Sequence, residues 1–107
     1  MLKENFHFSL ELEKTVLGAC MLELNAFGRL YKLIGEEMFY LPDHRVIFQA
    51  IGSLWASNEP TDIISVYLKL GKDGINELNG YPSSYYINTL IQHVVSTSSL
   101  EYHSAIL

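Results

Sequence analysis

The side chains that could do chemistry are few and scattered. Four histidines stand at His7, His44, His93 and His103. Two imidazoles on one helix bind a metal ion when they sit one turn apart, at i and i+4. No pair of these four has that spacing. Asp43 and His44 are sequence neighbours, and neighbours on a helix diverge by roughly 100°, so they do not converge on one substrate. His44, near a helix start, reads as a packing or hydrogen-bonding residue. His103, inside an apolar stripe, reads as a satisfied core histidine. Ser96, Ser98, Ser99 and Ser104 have no base nearby to activate them. Gly71, Gly74 and Gly80 lack the spacing of a phosphate-cradling Gly-x-x-x-x-Gly-Lys-Ser/Thr loop. Cys20 is the single cysteine; alone it makes neither an internal disulfide nor a structural zinc site, and a reducing compartment follows. No catalytic residue, cofactor site or metal site is expected in this chain.

The elements that would position such residues are helical almost throughout. The 107 residues are 49% hydrophobic and 18% charged, a composition for one domain with one real core and not for a disordered tail. Ser9 is an N-cap, with Glu11 and Glu13 in the first turn. The first helix runs to about Leu24, with Leu12, Val16, Leu17, Cys20, Met21 and Leu24 on its apolar face. Gly18 lies to the other side, where a missing side chain lets a neighbour approach. Glu13 falls inside the apolar stripe, and is expected to reach solvent or the free amides of the helix start. Asn25 caps a short second helix ending at Gly35. A tight turn follows over residues 36–40, and Pro42 opens the third helix. Its inner face carries Val46, Ile47, Ala50, Ile51, Leu54 and Trp55.

After the loop Ser57-Asn58-Glu59-Pro60, Thr61 or Asp62 caps a fourth helix. It runs from Ile63 to Leu70, with Ile63, Ile64, Val66, Tyr67 and Leu70 inward. Residues 71–80 read as a polar connection. A fifth helix starts near Pro82–Ser84 and ends at Val95, with Tyr86, Ile87, Leu90, Ile91 and Val94 inward. Ser98 and Glu101 form a capping box for a sixth. The expectation is an all-α compact bundle of about six short helices over 9–107, preceded by a flexible arm over 1–8. The sixth helix is still apolar at Leu107, so a longer polypeptide, cut at a domain boundary, is expected.

Net charge bounds the partners. Seven Lys+Arg against twelve Asp+Glu give −5, and no cation follows Lys72. Nucleic-acid affinity comes mainly from cations on phosphates, so direct nucleic-acid contact is not expected. No apolar run reaches the length of a membrane span. Lys3 and Glu4 are followed by Asn5 and His7, not by the apolar core of a signal peptide. A cytoplasmic location is the expectation.

Five segments in order carry a family resemblance: Leu10-Glu11-Leu12-Glu13-Lys14-Thr15-Val16-Leu17-Gly18 with Met21-Leu22-Glu23; Phe39-Tyr40 with His44, Ile47-Phe48 and Leu54; Pro60-Thr61-Asp62-Ile63-Ile64 with Leu68; Asn79-Gly80 with Tyr86-Ile87 and Leu90; and Ser96 with His103-Ser104-Ala105-Ile106-Leu107. Together they resemble the N-terminal domain of the replicative hexameric DNA helicases of the DnaB type, from about Ser9 to Leu107. The chain departs from the family pattern at Leu12 (usually Ala), Asn79 (Gly), Val95 (Pro) and His103 (often Tyr). The resemblance implies a compact helical domain without an ATPase site. It implies pairing with other copies in a hexameric collar and docking of the C-terminal helical domain of primase. A helical hairpin and a motor domain using ATP and Mg²⁺ would lie outside this chain.

Helical wheels then nominate protein-contact residues. Tyr85 is an aromatic on the polar face of the fifth helix, Tyr86 and His93 border that face, and Tyr102 borders the apolar face of the last. Tyrosine suits interfaces because it presents a large area at low entropic cost. Three other readings are weighed. One is a free-standing adaptor that binds helicase or primase. Another is a helix-turn-helix regulator reading DNA with Arg45, Gln49 and Ser53, which carry too few cations. The last is a small hydrolase using Asp43 and His44.

Overall fold

The computed structural model describes residues 8–106, with side chains through residue 97. Five helices follow in order: α1 (Leu10–Leu22), α2 (Ala26–Leu30), α3 (Pro42–Ala56), α4 (Ile63–Lys72) and α5 (Ser83–Ile106). A 3₁₀ turn (Glu36–Met38) precedes α3, and a two-stranded hairpin, β1 (Glu77–Leu78) and β2 (Tyr81–Pro82), precedes α5. The fold is all-α in substance, as the periodicity indicates.

Local chemistry sets the boundaries. The Ser9 side chain accepts the Leu12 N–H at 3.1 Å and closes the start of α1. Pro42 stands in the first turn of α3, where its missing N–H costs nothing. Asp62 caps α4 in an extended conformation, and its carboxylate accepts a hydrogen bond from the Ser65 hydroxyl at 2.6 Å.

Three expectations are corrected. The second helix stops at Leu30, not Gly35; the chain bends through Tyr31–Leu33, and Gly35 opens the 3₁₀ turn. The fifth and sixth helices are one continuous helix of 24 residues. Ser96–Ser99 holds no Gly or Pro, and Thr97 satisfies its hydroxyl on the His93 carbonyl one turn back, so the helix runs on. The polar connection contains a hairpin: Leu78 pairs with Tyr81 across Asn79 (φ 52°) and Gly80 (φ 82°). Two left-handed residues in a two-residue loop make the tight turn that matches strand twist, and Asn-Gly is its sequence mark.

The core is one cluster drawn from all five helices, the hairpin and the 3₁₀ region. Phe39 is fully buried at its centre, 5.0 Å from the Phe48 ring and edge-on to Phe8 at 5.4 Å. Phe8, counted in the arm, is therefore docked, and its N–H bonds the Met38 carbonyl; residues 1–7 of the arm lie outside the described residues. Phe27, Tyr31 and Trp55 form an aromatic group closing α2 on α3.

The α1–α5 pair packs tightly at Gly18, where a Cβ would fall 2.5 Å from the Leu90 carbonyl oxygen. The proposed close approach at Gly18 is thus real. Leu12 and Leu24, placed inward from the wheel, are exposed at the two ends of the first helical segment.

Cys20 is fully buried between these elements. Burial pushes its thiol pKa up to about 11, with Glu23 adding to the shift and Arg29 opposing it. The thiolate is the reactive form. An aromatic disulfide reagent at pH 8 is therefore expected to leave Cys20 unmodified in the folded chain and to react fully after denaturant is added. Rapid labelling without denaturant would contradict this packing.

Candidate protein-docking surface

Each of three helices places one polar residue in its inward stripe: Glu13 on α1, His44 on α3 and Tyr86 on α5. The fold brings the three together. His44 Nδ1 lies 2.6 Å from Glu13 Oε1, and His44 Nε2 lies 2.6 Å from the Tyr86 hydroxyl. Glu13 Oε2 accepts the Tyr40 N–H at 2.6 Å. Glu13 and His44 are fully buried, and Tyr86 is 7% exposed. Glu13 was expected to reach solvent or its own helix start; it instead turns across the core to α3. The reason is satisfaction. A carboxylate facing an imidazole N–H and a backbone N–H retains its hydrogen bonds away from water.

The bonding pattern assigns the protons. The tautomer that satisfies every partner has Nδ1–H donating to Glu13 and Nε2 accepting from the Tyr86 hydroxyl. Burial raises the Tyr86 pKa; an Asn79 side-chain hydrogen bond opposes this, and Asp43 and Glu13 add to it. Tyr86 thus keeps its proton and donates. The order carboxylate, imidazole, hydroxyl is that of an activated nucleophile. Here, though, the hydroxyl is enclosed, and the hollows lined by Tyr85, Lys69, Val46 or Leu22 include none of the three residues. The triad joins α1, α3 and α5 through the core. Tyr86, nominated as a contact residue, is a core residue.

The outer surface is different. Ile63, Ile64, Tyr67, Ser84, Tyr85, Ile87 and Asn88 line a shallow hollow of about 500 Å³ between α4 and α5. Ile64 is 65% exposed and Tyr85 56%. Ile64 and Tyr67 were placed inward by the periodicity; only Val66 and Leu70 of α4 are fully buried, so this second apolar face is left to solvent. Tyr81, on the hairpin, extends the patch, its ring 5.3 Å from that of Tyr85. Exposed apolar side chains grouped in one hollow mark an interaction site more than isolated ones do.

The remaining nominees are elsewhere. His93 sits half-buried at the α1–α5 seam, 3.2 Å from the Thr15 hydroxyl and 3.5 Å from Glu11. Tyr102 lies outside the residues whose side chains are described. The helix-turn-helix reading loses its single cation: the Arg45 guanidinium donates to the Phe39 and Tyr40 carbonyls at 2.8 and 3.2 Å. Among the described residues no cluster of His, Cys, Asp and Glu could hold a metal ion, and no helix is long and apolar enough to cross a membrane.

Fold and surface together define a small helical module with a sealed polar core and an open apolar hollow. The model of the DnaB-like helicase N-terminal domain matches residues 5–107, and the chain belongs to that family. It is 34% identical over 99 residues to a replicative DNA helicase DnaB of Rhodothermus marinus, covering 92% of this chain and 10% of that protein. Against the replicative DNA helicase DnaB of Leifsonia xyli it is 32% identical, covering 89% of this chain and 20% of the relative. The chain therefore spans a tenth to a fifth of the length of these relatives. A crystal structure of the N-terminal domain of DnaB helicase from Mycobacterium tuberculosis superposes with a TM-score of 0.73 at 30% identity, covering 80% of this chain and 61% of that one.

Proposed function

We propose that this domain is a non-catalytic part of a replicative DNA helicase, acting in the cytoplasm. It pairs with other copies in the collar of a hexameric ring and docks the C-terminal helical domain of primase. Unwinding, with ATP and Mg²⁺, falls to a separate motor domain. The observation that carries the docking role is the α4–α5 hollow, where Ile64, Tyr67 and Tyr85 are held out to solvent on two helices. A preformed apolar hollow with an aromatic rim loses little entropy on binding a helix.

Calorimetric titration with the primase C-terminal domain tests it. Tyr85→Ala is expected to weaken binding by about tenfold or more, the range of an aromatic anchor at an interface. Its circular dichroism should be unchanged, because the Tyr85 side chain is half outside the fold. An unchanged affinity would remove Tyr85 and this hollow from the interface.

A further inference from the structure

Tyr85 and its neighbour Tyr86 point in different directions, and the second fixes where the first stands. The Tyr86 hydroxyl bonds His44, whose ring bonds Glu13. Asp43, the residue before His44, accepts the Asn79 N–H at 2.5 Å. The start of α3 therefore grips both the turn of the hairpin and the first turns of α5. The Ser83 N–H closes the loop on the Asn76 carbonyl at 2.9 Å. Between these anchor points lie Tyr81 and Tyr85, whose rings meet at a tilt of 38° at the edge of the hollow. They make no comparable polar bond to α4; their placement is inherited from the anchors.

We infer that the buried Glu13–His44–Tyr86 chain is a positioning device for the docking surface, and that Tyr86 is a positioning residue for partner binding. The inference rests on the docking reading above, and adds to it a residue that the partner never touches. Rigid support behind a contact residue is what turns an exposed ring into an anchor. Without the Tyr86 hydroxyl, α5 keeps its apolar packing through Ile87 and Leu90, but its first turn loses its polar tie to α3.

The test uses Tyr86→Phe, which keeps the ring and its volume, beside Tyr85→Ala. In the free chain, Tyr86→Phe is expected to shift the ring resonances of Tyr81 and Tyr85 while leaving those of Tyr31 and Phe27 in place. Affinity for the primase C-terminal domain is measured well below the melting temperature, so that a loss of global stability alone does not register. It is expected to fall about fivefold, the order of one net hydrogen bond. If Tyr85→Ala weakens binding and Tyr86→Phe does not, the positioning role is overturned and the docking surface stands. If Tyr85→Ala has no effect, the docking surface itself fails and the positioning role falls with it. Unmoved Tyr81 and Tyr85 resonances in Tyr86→Phe overturn the inference whatever the partner does.

Discussion

Glu13→Ala is expected to destabilise this domain by about 3–5 kcal/mol, the cost of removing one member of a buried, hydrogen-bonded polar pair. The carboxylate has two partners, the His44 Nδ1–H and the Tyr40 N–H, each at 2.6 Å. The substitution leaves the His44 Nδ1–H inside the core with nothing to accept it, at about 1–3 kcal/mol for an orphaned buried group, and removes the acceptor of the part-buried Tyr40 N–H. A void is left as well. A domain of this size has a total stability of roughly 5–15 kcal/mol, so the variant should melt far below the parent and sit near the edge of folding. Glu13→Gln keeps the shape and one acceptor oxygen, but turns an NH₂ toward a donor. It should lie between parent and Glu13→Ala. Urea unfolding followed by circular dichroism reads both. A Glu13→Ala midpoint close to the parent's would mean that Glu13 is solvated and the triad is not the core feature described.

Much of the scaffold was legible because short-range rules decided it. Ser9, Pro42 and Asp62 stand where caps and first-turn residues belong, and the helices start there. Failures arose where a tertiary partner outvoted a local preference. Asn79-Gly80 carried a hairpin signal, but a strand of two residues offers no alternation to read. The serines at 96, 98 and 99 looked like a break between helices, yet serine and threonine in a helix return their hydroxyls to the preceding turn. Ile64 and Tyr67 fitted a wheel for burial, while the neighbouring helices cover only the side carrying Val66 and Leu70.

The polar core was visible in outline. Glu13, His44 and Tyr86 each interrupt an otherwise apolar stripe on a different helix. Taken singly, each has an ordinary explanation: a helix-start acid, a packing or hydrogen-bonding histidine, an amphipathic tyrosine. Their mutual satisfaction depends on separations of 31 and 42 residues in the chain, which no local pattern encodes. Three unexplained polar residues on three inward faces were the available signal. The docking hollow left a weaker one. It requires knowing which apolar side chains the bundle fails to cover, and that is a property of the packed helices.

Gly18→Ala should cost about 2 kcal/mol, although alanine is the better helix former by about 1 kcal/mol. The balance turns on what the new methyl meets. A Cβ at Gly18 would stand 2.5 Å from the Leu90 carbonyl oxygen and 2.5 Å from a Val94 methyl. The valine methyl can be displaced by a rotamer change; the carbonyl belongs to the helix backbone and moves only if α5 moves. Since α5 also carries Tyr85 and Tyr86, the shift would pass along the helix toward the hollow. Gly71 supplies the control. It lies within α4 with nothing within 4 Å of its would-be Cβ, so Gly71→Ala should gain about 0.4–1 kcal/mol from the lost freedom of the unfolded chain. The same substitution at two helical glycines is thus expected to move the melting temperature in opposite directions. Differential scanning calorimetry of the two variants decides it. A Gly18→Ala variant as stable as Gly71→Ala would mean that α1 and α5 are not in backbone contact at this point. It would also remove the mechanical link between the core seam and the docking surface.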